Sequence, residues 1–167
     1  MTIEENYLVF SKKQFAQYKL LAEKAIAQID AEKLFTSVSN KSNSIAIIIQ
    51  HMAGNMLSRW TDFLTTDGEK EWRKRDDEFK VLLRSKEDIM KLWEKGWQCL
   101  FAALDNLTPL SLQQQIYIRG EAHTVLEAIN RQLAHYPYHV GQIVFIAKMF
   151  NENFESLSIP KKATVAN

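Results

Sequence analysis

The sequence contains a single cysteine, Cys99, and almost no net charge. One thiol can neither close an internal disulfide nor build a multi-cysteine zinc site, and it fits a reducing compartment. With 21 Lys and Arg against 20 Asp and Glu, no overall field steers the chain toward nucleic acid or anionic lipid, and no basic stripe makes up for it. No apolar run approaches transmembrane length, so no membrane partner is expected. The N-terminal stretch MTIEENYLVFSKKQF also lacks the basic start and apolar core of a signal peptide. These absences predict a cytoplasmic protein that does not bind nucleic acid.

What is there is the composition of an ordinary globular chain: 167 residues, 46% hydrophobic and 25% charged. That is enough for one core without disulfide or metal staples, and the expectation is a single domain over 1–167. Four stretches alternate apolar steps of three and four, the mark of amphipathic helices. The first runs from Glu5 to about Ile29 through Leu8, Phe15, Ala22 and Ala25. The second, from Ser44 to Phe63, has an apolar side that includes Ile49, Met52, Met56 and Trp60. Its other side carries His51, Asn55, Ser58 and Asp62, a polar line that either faces water or lines a cleft. Ile47 and Ile48 flank the start of that line and favour the cleft.

The third helix begins at Ser85, an N-cap, and continues through Ile89, Trp93, Gly96 and Leu100 to Leu107, with Cys99 beside the seam as a core thiol. The fourth begins at Thr124, with Glu127 as capping-box partner, and keeps its rhythm through Ile129, Leu133, Tyr136, Val140 and Ile143 to Phe150. Between helices two and three lies DGEKEWRKRDDEFK, in which only Gly68, Trp72 and Phe79 are uncharged. It reads as a solvated connection anchored by its two aromatics. QQQIYIRG, residues 113–120, alternates enough to be extended. From about 151 the chain has no helical period and reads as a tail.

Chemistry concentrates in LAHYPYHVGQIVFIAK, residues 133–148. His135 and His139 stand four apart, so their imidazoles project from one side of the helix about one turn from each other. A third neutral imidazole, His51 from helix two, would complete a three-histidine face that leaves positions open for water or substrate. Asn55 and Gln142 lie one turn from these histidines, placed to fix an imidazole or meet a substrate. Arg59 and Arg131 are further candidates for contacting the ligands or a substrate. His123 can serve as a fourth ligand, but its place beside the Thr124 cap favours capping or solvent. Pro137 falls between the histidines, removes a backbone donor and disturbs the preceding turn.

The residues QHMAGNMLSRW, the charged loop that follows, AINRQLAHYPYHVGQIVFIAK and the late SLSIPKK together resemble the DinB-like (damage-inducible) superfamily of metalloenzymes. The closest resemblance is to a branch known mainly as a domain of unknown function. It implies an all-α four-helix bundle with a long crossover between helices 2 and 3. It also implies a divalent metal on one histidine of helix two and two of helix four, matching His51, His135 and His139. The superfamily includes transferases that use low-molecular-weight thiols, and many of its members are dimers. The expectation is therefore an enzyme that uses zinc, nickel or another first-row divalent ion and is a thiol-dependent S-transferase acting on a small-molecule substrate as a homodimer. A metal-hydroxide hydrolase and a non-catalytic dimeric bundle with a structural or vestigial metal are the alternatives. Histidine-only ligation does not select among these metals.

Overall fold

Four helices form in the computed structural model, which describes residues 1–80 and 82–157. Helix α1 spans Ile3–Ile26, α2 Ile45–Trp60, α3 Lys86–Asp105 and α4 Val125–Phe150. Their starts follow local chemistry. Thr2 with Glu5 and Thr124 with Glu127 make reciprocal capping boxes, and the hydroxyls of Ser44 and Ser85 accept from the backbone N–H of Ile47 and Asp88. Each cap satisfies amides that the first helical turn leaves without partners.

The chain is an all-α bundle, with the long crossover between α2 and α3 that the resemblance implies. Helix α2 packs most extensively on α3, and α1 on α4. Apolar faces meet in a core centred on Phe15, Ile49, Met52, Met56, Trp93, Trp97 and Tyr136, all essentially buried. The rings of Phe15, Trp97 and Tyr136 lie 5.8–6.5 Å apart in tilted and edge-on pairs, the arrangement their quadrupoles favour. Trp60 Nε1 donates to Tyr136 Oη at 3.1 Å, and Tyr136 Oη donates to Asn55 Oδ1 at 3.0 Å. This buried polar chain ties α2 to α4 and leaves none of its members unpaired.

The extended segment expected at 113–120 proves to be half of a hairpin. Strand β1, Gln115–Ile118, pairs antiparallel with β2, Glu121–Thr124, which leads directly into α4. Arg119 and Gly120 turn it with positive φ of 57° and 76°, the two-residue turn whose twist suits the strands. Asp67 accepts from both turn amides at 2.8 Å, and Gly68 N donates to Tyr117 O at 2.8 Å. The hairpin thereby fastens the start of the crossover.

Two expectations are corrected. The second helix stops at Trp60, because Thr61 is extended and Asp62 has φ 48°. Trp72 is no anchor, being 57% exposed. Polar contacts hold the crossover against α2 instead: Ser58 Oγ donates to Gly68 O, and Gln50 Nε2 donates to the carbonyls of Glu78 and Lys80. Pro137 lies within α4, which continues past it to Phe150 as its apolar rhythm predicts. After α4, residues 151–157 form neither helix nor strand, and the later part of the expected tail lies outside the described residues. Among those described, no helix is long and apolar enough to cross a membrane.

Candidate metal centre

His51 on α2 and His135 and His139 on α4 come together between the two helices. One ligand nitrogen from each lies within 4.8 Å of the other two. His51 is 7% exposed, and the α4 pair is partly buried. The ring centroids lie 4.7–5.6 Å apart, with edges turned toward one another. His123 is not in the cluster. It sits half-buried on β2, and Thr124 alone supplies the side-chain cap of α4.

Each of the three imidazoles turns Nδ1 toward a side-chain oxygen. His51 Nδ1 lies 3.0 Å from Glu78 Oε2, His135 Nδ1 3.2 Å from Gln132 Oε1, and His139 Nδ1 3.0 Å from Gln142 Oε1. All three oxygens are acceptors, so in the neutral rings the proton sits on Nδ1 and the lone pair on Nε2. The Nε2 atoms of His135 and His139 are 3.0 Å apart. Two lone pairs held face to face at that distance repel unless a cation or proton shares them. Burial pushes the His135 pKa down to about 4, with further lowering from His139, His51, Arg73 and Arg131. Burial also lowers His139, against the raising effect of its bond to Gln142. The α4 imidazoles are thus neutral near pH 7 and offer nitrogen lone pairs, the form a divalent metal takes up.

The Glu78 carboxylate comes from the charged crossover, which is therefore not merely solvated. Burial raises its pKa, but bonds from His51 and Arg73 outweigh that effect and hold it below the ordinary carboxylate value. Arg73 approaches through two nitrogens, Nε to Oε1 at 2.7 Å and Nη2 to Oε2 at 2.9 Å. This two-pronged geometry fixes the carboxylate as well as neutralising it. Gly54 makes the approach possible: a Cβ there would lie well inside van der Waals contact distance of Glu78 Oε1.

Beside His51 and His135 opens a cavity of about 230 Å³, lined also by Asn55, Arg59, Arg73 and Arg131, together with Arg75, Arg119 and Gln132. The expected candidates fall into distinct places. Gln142 bonds a cluster imidazole, as its spacing implied. Asn55 lines the cavity, but its oxygen is engaged by Tyr136 rather than by an imidazole. Arg59 is almost fully buried in the cavity wall, and Arg131 lies exposed at its side.

Sequence reasoning missed Gln132 and Glu78. Gln132 stands three residues before His135, as Gln142 stands three after His139, and that local spacing could have revealed it. Nothing local marks Glu78 among its charged neighbours.

A comparison with curated proteins and one with solved structures found no match. A family model matches residues 2–163, nearly the whole chain. The chain therefore belongs to the family described as a protein of unknown function, DUF1572.

Proposed function

We propose that this chain is a divalent-metal-dependent enzyme whose ligands are His51, His135 and His139. The observation that carries this reading is the common orientation of the rings. Three Nδ1 atoms are each engaged by an oxygen, and two Nε2 atoms meet at 3.0 Å with only lone pairs to present. Acceptor-only oxygens behind metal-binding histidines fix the tautomer and raise ligand basicity. The three-nitrogen donor set suits a borderline first-row ion such as zinc or nickel, and it leaves coordination positions for other molecules.

When bound, such a metal supplies Lewis acidity that lowers the pKa of a thiol or water at the open position. The chain's own residues do the rest. Glu78, held by Arg73, keeps His51 oriented; Gln132 and Gln142 do the same for the α4 pair. The arginines of the cavity wall favour an anionic nucleophile, because a nearby cation lowers a thiol's pKa.

The helix order, the long crossover and the histidine positions support placing the chain in the DinB-like superfamily. That placement favours a low-molecular-weight thiol as cosubstrate and an S-transfer to a small electrophile, in a cytoplasmic homodimer. The family match over 2–163 supports a single domain.

Elemental analysis after zinc or nickel supplementation is the primary test, with one ion per chain expected and none in the His51→Ala variant. Protein that stays metal-free under those conditions would defeat the proposal. Turnover of an electrophile panel with and without added thiol then separates S-transferase from hydrolase, because only the former depends on the thiol.

A further inference from the structure

The wall of the histidine cavity carries a buried positive charge that makes no salt bridge among the described residues. Arg59 is 3% exposed, and its Nε and Nη1 are buried without a hydrogen-bond partner. Burial correspondingly lowers its pKa. A buried guanidinium with idle donors is costly, and folds keep such groups only where something compensates for the lost water. Space for this one is built in. A Cβ at Gly68 would stand 2.6 Å from Arg59 Nη1, and Gly68 is fixed by its bonds to Ser58 and Tyr117.

Glu69 and Asp67 act on Arg59 electrostatically, but among the described residues neither contacts it. Arg73, Arg75, Arg119 and Arg131 also line the cavity, and no carboxylate does. Glu78 is occupied by Arg73 and His51, while Glu69 bonds Arg119 at 3.1 Å and lies 3.7 Å from Arg73. Among the described residues, neither Arg59 nor Arg131 makes a salt bridge. The cavity thus has more positive than negative side chains around it, and Arg59 is the one that is both buried and without a direct partner among the described residues.

Position relates this charge to the histidines. His51 approaches His139, while Asn55 and Trp60 bond Tyr136, so contacts descend α4 as they ascend α2 and the helices run antiparallel. Arg59, two turns after His51, and Arg131, one turn before His135, consequently lie toward the same end of the cleft. Helical side chains lean toward their own N-terminus, so Arg59 leans back along α2 toward Asn55 and His51.

We propose that Arg59, with Arg131 beside it, forms an oxyanion subsite that receives the carboxylate or phosphate end of a small-molecule substrate or cosubstrate. The guanidinium fork matches both groups. The separation limits the ligand, whose charged end lies roughly one to two helical turns, about 5–11 Å, from the atom that reaches the histidines. This assigns a substrate class to the metal-dependent enzyme proposed above and rests on it for what happens at the histidine end. Anion binding itself needs no metal.

Calorimetric titration of the chelator-treated full chain at low ionic strength, with inorganic phosphate and separately with acetate, tests the subsite and distinguishes the two anion types. Saturable binding of at least one is expected. Arg59→Met should raise its dissociation constant about tenfold or more, as loss of a hydrogen bond to a charged group does. Arg131→Met should weaken it by a smaller factor. Arg84→Met, at an exposed residue outside the cavity, removes the same charge and should leave it unchanged.

No saturable binding by the unsubstituted chain overturns the subsite, and so does an equal loss in Arg84→Met and Arg59→Met. If Arg59→Met does not fold, the comparison of Arg131→Met with Arg84→Met decides alone. Zinc titration of the same proteins keeps the two proposals apart. A chain that binds the anion but no zinc retains the subsite and loses the metalloenzyme reading; one that binds zinc but no anion does the reverse.

Discussion

Gly54 and Glu78 fit together as hole and plug. The missing side chain of one leaves the space against α2 that the carboxylate of the other occupies, and that carboxylate reaches His51 Nδ1 at 3.0 Å. A helix residue chosen for its smallness thereby brings a loop acid onto an imidazole. Gly54→Ala should displace Glu78 while adding helix propensity. The expected result is a preserved far-ultraviolet circular dichroism spectrum with zinc affinity lowered by about tenfold, the low end for loss of an orienting partner. Unchanged zinc affinity would show that His51 does not depend on Glu78.

Glu78→Gln separates charge from shape. It leaves a near-isosteric side chain beside His51 but removes the counter-ion of Arg73, whose side chain is 2% exposed. Breaking a buried pair from one side typically costs about 3–5 kcal/mol. Because part of the guanidinium charge is shared with Glu69, the lower figure is expected. Urea unfolding of the metal-free variant measures it, and a loss below about 1 kcal/mol would mean that the pair is not a desolvated one.

Metal should stabilise the fold through the same three histidines. With free zinc at about 100 times its dissociation constant, linkage adds about 2.7 kcal/mol, seen as a rise in melting temperature that chelator reverses. His135→Ala should show no such rise. A rise of equal size in that variant would place the stabilising ion elsewhere.

Tyr136 adjoins His135 but offers no ligand atom to the cluster, so it separates core packing from coordination. Tyr136→Phe removes the hydroxyl that accepts from Trp60 and donates to Asn55, leaving two buried polar groups unpaired. About 2 kcal/mol of stability should be lost, the usual penalty for an unsatisfied buried group. Zinc stoichiometry should remain at one per chain. Chemical denaturation together with metal analysis checks both parts.

Legibility differed from one part of the chain to another. His135 and His139 were readable because an α-helix alone places residues four apart on one side, whatever packs against it. The capping box at Thr124 and the N-cap at Ser85 were readable for the same reason, since caps join residues only a few positions apart. The crossover was misread because its charges say nothing about direction. Arg73, Glu78 and Trp72 sit within a few residues of each other, yet the two ionic side chains turn inward and the indole turns out. Composition predicts the reverse, and only the contacts with Gln50, Ser58 and His51 override it.

The sequence by itself determined the four helices, their caps and the α4 half of the histidine cluster, because these depend on apolar period and short-range bonds along one backbone. Tertiary structure alone decided that His51 faces that pair, that Glu78 and Gln132 hold its imidazoles, and that Arg59 lies buried without a salt bridge among the described residues. These relations join residues far apart in the chain, or depend on which side of a packed helix is denied water. Their energies come into being only when α2, the crossover and α4 are brought together.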